Sequence, residues 1–438
     1  MVANNIGAEA LQSNPFGSLV EDQQVMVVPS FTLESGVVLR DIPVAYKTWG
    51  QLNESANNCM VICHALTGSS DVADWWGPLL GNGRAFDTEH FFVVCCNVLG
   101  SPYGSASPLT INPETGSQFG PDFPLTTIRD DVRLHRLVLD TLGVRQVAIC
   151  IGGSLGGMQC LEWGMLGVDY VRVIVPIATC GKHSAWGISW GEAQRQAIYS
   201  DPNYCDGRYT PDKKPDHGLS AARMSALLTY RSRDSFESRF GRKMMTSGRV
   251  RVYKSDNIQD TAEQNGTEST STASGNSTPR GSSDDRDSSS IFSAQSYLRY
   301  QGDKFTRRFD ANCYIAITRK MDAHDVGFAR GSYTETLKQM QQPTLVVGIE
   351  SDGLFTINEQ YELAEHIPKA QMATIDSTDG HDGFLLEFAQ LNCLIRSFVR
   401  DQLPEFASQN DADVNQASEF EPLKSSVFGE AEVDVMKW

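Results

Sequence analysis

The amino-acid sequence predicts an α/β fold, with a mainly parallel central sheet interrupted by an inserted helical cap. Three observations carry this. Short apolar runs at 59–63 (CMVIC), 91–98 (FFVVCCNV) and 344–349 (TLVVGI) are continuous and bounded by turn residues, as strands covered on both faces are. Stretches with a helical apolar stripe alternate with such runs. That alternation stops at 180 and resumes at 342, and tryptophans, arginines and helix-like stretches without clear strands lie between.

Taken in order, residues 1–24 read as a loose arm. The runs 25–28, 37–39 and 44–46 are separated by turn residues, as in an antiparallel hairpin region. Helix is expected over 127–142, where Thr127 and Asp130 fit a capping box and Gly143 ends the stripe. A buried strand over 146–151, a glycine turn, a helix over 158–166 and a strand over 170–177 complete the first part of the core, 25–179. The cap spans 180–341. Within it, 246–290 is a low-complexity insert. From 256 it is almost all Ser, Thr, Asn, Gly and Asp, which offers too little apolar surface to offset its ordering entropy, so it is expected to be disordered. The second part of the core, 342–403, holds strands at 344–349 and 372–375 and helices at 359–366 and 384–399. An acidic, polar tail follows over 404–438.

The strongest chemical signal is Gly152-Gly153-Ser154-Leu155-Gly156-Gly157, a G-x-S-x-G motif between a strand and a helix. That context defines a nucleophile elbow, as in the α/β-hydrolase fold. The turn is so tight that its flanking positions are glycines. It presents Ser154 at the strand's C-terminal end, beside a helix N-terminus that favours negative charge. In this fold the acid and then the histidine follow the serine. His64 and His135 precede it, His324 lies in the cap, and His366 falls late in a helix. His381, in a loop between the last strand and the last helix, is the expected base. Asp352 directly follows the 344–349 strand and is the expected acid, with Glu350 as the alternative. The backbone N–H groups of Leu66 and Leu155 are the expected oxyanion donors.

Bulk composition narrows the class. A net charge of −17 argues against nucleic acid as the main partner. No run approaches a membrane span and the N-terminus has no apolar signal core, so a cytoplasmic protein is expected. The ten cysteines show no zinc-ligand spacing and read as buried reduced thiols, and neither a metal nor a cofactor is expected.

A triad specifies acyl transfer but not the acceptor. Longer strings go further. They include Ala45-Tyr46-Lys47-Thr48-Trp49-Gly50, Cys63-His64-Ala65-Leu66-Thr67-Gly68-Ser69, Asp74-Trp75-Trp76-Gly77-Pro78 and Gly100-Ser101-Pro102-Tyr103-Gly104-Ser105. His183-Ser184-Ala185-Trp186, Gly218-Leu219-Ser220-Ala221-Ala222-Arg223-Met224, Tyr230-Arg231-Ser232, Asp310-Ala311-Asn312-Cys313-Tyr314 and Gly380-His381-Asp382 continue the series. With these strings the chain resembles the fungal homoserine O-acetyltransferases over nearly its whole length. The resemblance implies a ping-pong reaction in which Ser154 takes acetyl from the co-substrate acetyl-CoA and passes it to L-homoserine, a step of methionine biosynthesis. It implies that Arg223 holds the substrate carboxylate, Tyr230 lines the pocket and Asp382 pairs with the substrate ammonium. It also implies a homodimer. Many relatives carry Met where this chain has Leu155, and Cys180-Gly181-Lys182 also departs from the family pattern. Serine in place of homoserine as acceptor, succinyl transfer, a carboxylester hydrolase and a non-catalytic scaffold are the rival readings. An acidic protein that admits anionic CoA is further expected to have a basic mouth, drawn from Lys182, Arg231, Arg233 and Arg239.

Overall fold

In the computed structural model, residues 14–245 and 291–407 are described. The insert 246–290, residues 1–13 and residues 408–438 lie outside them, and with them the expectations of disorder in the insert and of a loose arm and polar tail at those ends. Eight strands form one sheet: β1 (Gln24–Thr32), β2 (Val38–Trp49), β3 (Cys59–Cys63), β4 (Phe92–Cys96), β5 (Val147–Gly153), β6 (Val171–Ile177), then β9 (Thr344–Ile349) and β10 (Ala370–Ile375). Their spatial order is β1-β2-β4-β3-β5-β6-β9-β10. β1 and β2 pair antiparallel, β2 meets β4 antiparallel, and every pairing from β4 to β10 is parallel. Two short strands, β7 (Met244–Met245) and β8 (Ile291–Phe292), pair outside this sheet.

The described helices are α1 (Val72–Trp75), α2 (Ile128–Thr141), α3 (Leu155–Gly164), α4 (Ala185–Tyr199), α5 (Asp216–Tyr230), α6 (Arg233–Arg239), α7 (Ser293–Thr306), α8 (Ala311–Asp322), α9 (Tyr333–Leu337), α10 (Ile357–His366) and α11 (Phe388–Gln402). One apolar cluster packs α2, α3 and α10 on one face of the sheet. A second packs α11 and the 72–86 segment on the other. A third lies between the elbow and the cap, where Leu155 and Met158 meet Phe305, Phe309 and Tyr314. β3, β5, β6 and β9 are buried along almost their whole length, which is why they read as unbroken apolar runs.

The departures from expectation are local. The runs 37–39 and 44–46 belong to a single strand, β2, whose polar Arg40 and Asp41 are exposed. α3 starts at Leu155, three residues earlier than expected. Its early glycines answer close contacts with neighbouring backbone and side chains and do not break the helix. The expected 384–399 helix is divided, because residues Gly380–Leu385 form a 3-10 turn and α11 begins at Phe388. The described end of the arm is docked. Phe16 and Val20 join the third cluster, and Asn14 Nδ2 donates to Pro102 O at 2.7 Å. The first residues past 403 dock too, with the Phe406 ring 5.4 Å from that of Phe91.

Among the described residues no helix is long and apolar enough to cross a membrane. Eight of the ten cysteines are buried thiols, while Cys205 and Cys393 are exposed.

Candidate active site

The parallel strands run the same way, so their C-terminal ends open on one crevice. Ser154 stands at the end of β5 with φ 58° and ψ −123°, a strained conformation for a residue with a side chain. The surroundings hold it there. Its N–H donates to Ile177 O at 2.9 Å, and Thr179 Oγ1 donates to Ser154 O at 2.8 Å. Glycine is required on both sides. A Cβ at Gly152 would lie 2.5 Å from the Gly156 backbone, and one at Gly156 would lie 2.1 Å from the Cys63 carbonyl oxygen.

His381 lies in the turn after β10 and is buried. Its Nδ1 is 2.6 Å from Asp352 Oδ2. The other Asp352 oxygen accepts the N–H groups of Leu354 (2.8 Å) and Phe355 (2.9 Å), which fix the carboxylate. Glu350 is exposed and is reached by Tyr361, so the alternative acid does not meet the histidine. An ionised Asp352 accepts only, so Nδ1 carries the proton and Nε2 is left to act as base. The imidazole is sandwiched by Phe355 at 5.1 Å and Phe384 at 5.3 Å. Burial disfavours its charged form, but Asp352, with Asp382 and Glu359, outweighs burial and raises its pKa above 6.5.

One cavity is lined by Ser154, His381, Leu66, Arg223, Tyr230 and Asp382, so the residues named from sequence converge, and Leu155 joins them as the residue after the serine. As the first residue of α3, Leu155 has an N–H with no intrahelical acceptor. Leu66 is inside a turn closed by Gly68 N–H to Ala65 O at 3.1 Å, and its own N–H lies outside that bond.

Arg223 is buried, with its guanidinium 4.9 Å from the Phe305 ring centre and 5.5 Å from that of Tyr230. Its Nη1 is buried without a hydrogen-bond partner. Such an atom in a cavity wall is a ready hydrogen-bond donor to an anion. Asp382 lines the cavity beside a cation. Its Oδ2 lies 2.7 Å from Arg231 Nε as a charge contact without hydrogen-bond alignment, so part of its charge is already compensated.

Of the expected basic mouth, Arg231 is corrected. Arg231 is 6% exposed and is committed to Asp379 and Asp382. Arg239 also pairs with Asp379, Lys182 with Asp325 and Arg233 with Asp234, and none of the four lines the cavity.

Two features escaped the sequence reading. His64 was weighed only as a base. It is fully buried under the Leu66 turn, with Nε2 3.1 Å from Val98 N and Nδ1 2.8 Å from Ala65 O. His183 and Trp190 line the cavity with no role foreseen, although His183 stood in one of the quoted strings. Among the described residues, two groups could ligate a metal: buried Cys63, Cys150 and Cys160, and Asp87, Glu89 and His90. Neither lines the cavity.

Strand order, elbow and histidine–carboxylate pair together define an α/β-hydrolase-fold protein, and the family model for the alpha/beta hydrolase fold matches residues 58–388. The fold is similar to that of a homoserine O-acetyltransferase from Bacillus anthracis (TM-score 0.73, 21% identity, 86% of this chain and 97% of that one). It is equally similar to that of esterase E22 (TM-score 0.72, 22% identity, 86% and 99%). Curated relatives are far more similar in sequence. A homoserine O-acetyltransferase of Emericella nidulans is 53% identical over 97% of this chain and 96% of its own length. One of Saccharomyces cerevisiae is 51% identical over 98% and 97%. The chain belongs to the homoserine O-acetyltransferase family.

Proposed function

We propose that the protein transfers acetyl from acetyl-CoA to the side-chain hydroxyl of L-homoserine through an acetyl-serine intermediate. His381 Nε2 takes the Ser154 proton as Oγ attacks the thioester carbonyl. The N–H groups of Leu66 and Leu155 hold the oxyanion, and His381 returns the proton to the departing CoA sulfur. Homoserine then occupies the cavity, its carboxylate on Arg223 and its ammonium beside Asp382, with Tyr230 as a wall. His381 removes the hydroxyl proton, the oxygen attacks the acetyl carbonyl, and His381 returns that proton to the departing Ser154 Oγ. Asp352 keeps the imidazole in the productive tautomer and stabilises its charged form.

The observation that carries this reading over a simple hydrolase is Arg223. A buried guanidinium with an unpartnered nitrogen, in the same cavity as Ser154 and His381, suits an amino-acid carboxylate. The aromatic packing around His381 also limits the water that would otherwise consume the acetyl-enzyme. The reading includes a cytoplasmic homodimer with no cofactor, and light scattering on the purified protein reads the oligomeric state.

The test is to trap the intermediate. Protein mixed with acetyl-CoA alone gains one acetyl group on the peptide that contains Ser154, and L-homoserine discharges it. Label found elsewhere, or discharged equally fast by water, would refute the mechanism.

A further inference from the structure

The cavity has a second polar wall that neither the triad nor the amino-acid site uses. It is formed by α4 and the segment just before it. His183 is 7% exposed and its Nδ1 has no hydrogen-bond partner. The Trp190 indole nitrogen is buried and also without a partner. Both side chains line the cavity with Ser154. Unpartnered buried polar atoms cost stability unless solvent or a ligand satisfies them, so two in one cavity wall offer hydrogen bonds to whatever fills the cavity. The two unpartnered groups are themselves uncharged. Burial holds the His183 imidazole uncharged, with its pKa lowered to about 4, and the nearby Arg195 and Asp322 compensate each other at 2.6 Å. One helical turn toward the surface, the Trp186 ring packs edge-on against Trp190 at 5.5 Å and is 54% exposed. Trp186 Nε1 donates to Gly353 O at 2.9 Å, which anchors the ring beside the loop that carries Asp352.

Two uncharged hydrogen-bonding groups in the nucleophile's cavity, with an exposed aromatic ring packed beside one of them, do not call for a zwitterion or a phosphate. They suit a chain of neutral amides. We propose that this wall is the donor subsite, in which Trp190 and His183 hydrogen-bond the amide next to the thioester and the Trp186 ring covers the branched pantoyl section of the pantetheine arm. The proposal rests on the acyl-thioester reading above. It also places the donor arm along α4 and the amino acid on Arg223.

Donors of different length act as a ruler. Trp190→Phe keeps an aromatic ring but removes the indole N–H with the five-membered ring that carries it, and should raise KM about tenfold for acetyl-CoA, S-acetyl-pantetheine and S-acetyl-N-acetylcysteamine alike. Trp186→Ala, at an exposed position, should raise KM for the first two and spare the third, which lacks the pantoyl section. The KM for L-homoserine should stay put in both variants. A shift in homoserine KM with donor values unchanged would overturn the assignment, as would a Trp186→Ala effect on acetyl-CoA that S-acetyl-pantetheine does not share. Loss of all acetyl-CoA turnover by the unaltered protein would instead sink the functional reading.

An independent observation concerns His64. The Val98 N–H can only donate, so His64 Nε2 accepts and Nδ1 carries the proton toward Ala65 O. The Ala65 carbonyl and the Leu66 N–H belong to one planar peptide and point opposite ways. We infer that His64 is a positioning residue that aims the Leu66 N–H at the oxyanion by gripping the far side of its peptide. Asparagine places an amide nitrogen near Nδ1, whereas glutamine places its amide near Nε2. His64→Asn should therefore keep kcat within about tenfold of wild type, and His64→Gln should lose about 10²-fold. Both should have similar melting temperatures and nearly unchanged KM. Equal kcat in the two variants would overturn the inference.

Discussion

At the scale of single residues, the account makes its sharpest demands on Asp352 and Arg223. Asp352→Asn retains a neighbour for His381 but offers the wrong hydrogen-bonding partner. We expect a fall of about 10⁴ in kcat with an unchanged melting temperature. A variant that turned over like wild type would disqualify Asp352 as the acid. Arg223→Ala should raise the homoserine KM far more than that for acetyl-CoA, and equal effects on both would remove its role as carboxylate anchor. The candidate triad residues could be named from sequence because the evidence for them is a turn motif and a fixed chain order of serine, acid and base. Glu350 and Asp352 were separable only in three dimensions, where a single distance to His381 decides between them. The role of His64 was not legible at all. It depends on which backbone groups face its two ring nitrogens, and one of them, Val98, is far along the chain.

At the scale of elements, the elbow depends on how closely β3, β5 and α3 approach each other. Gly156→Ala would bring a methyl group to 2.1 Å from the Cys63 carbonyl, so β3 or α3 has to move. A loss of about 1–3 kcal/mol in stability is expected, with a disproportionate fall in kcat, measured by denaturant unfolding and steady-state kinetics. Wild-type values for both would contradict this packing. Among the ties between cap and core is a fully buried ion pair, in which Lys320 of α8 donates to Asp131 of α2 at 2.5 Å and to Leu99 O at 2.7 Å. Lys320→Met leaves Asp131 buried without its cation and should cost about 3–5 kcal/mol in denaturant unfolding. A loss below about 1 kcal/mol would mean that the cap is anchored elsewhere. These close approaches explain the misread start of α3. The glycines that look like helix breakers are there because neighbouring atoms leave no room for a Cβ.

At the scale of the whole molecule, the parallel strands gather β5, β9 and the turn after β10 at one edge, and the cap closes over it. The α/β class was legible because buried strands leave unbroken apolar runs, and the capping box of α2 was legible because it lies within four residues. The part of the cavity wall formed by His183 and Trp190 was not legible, since it is set by how cap helices pack on one another. The site's electrostatics predict its pH dependence. His381 works as a base only when neutral, and its pKa is raised above 6.5. Activity should therefore rise with pH through an apparent pKa above 6.5. Removing the Asp352 charge should shift that limb downward, and a limb that stayed in place would assign the titration to another group.

The central claim is that this cavity passes acetyl from a thioester to an amino-acid hydroxyl. Its most direct test is CoA release from acetyl-CoA by the purified protein, with L-homoserine, L-serine or water as the acceptor. The account predicts fast release with L-homoserine and little with the other two. Release that favoured L-serine would keep the triad and change the acceptor. Release indifferent to any amino acid would contradict the account and make the protein a hydrolase.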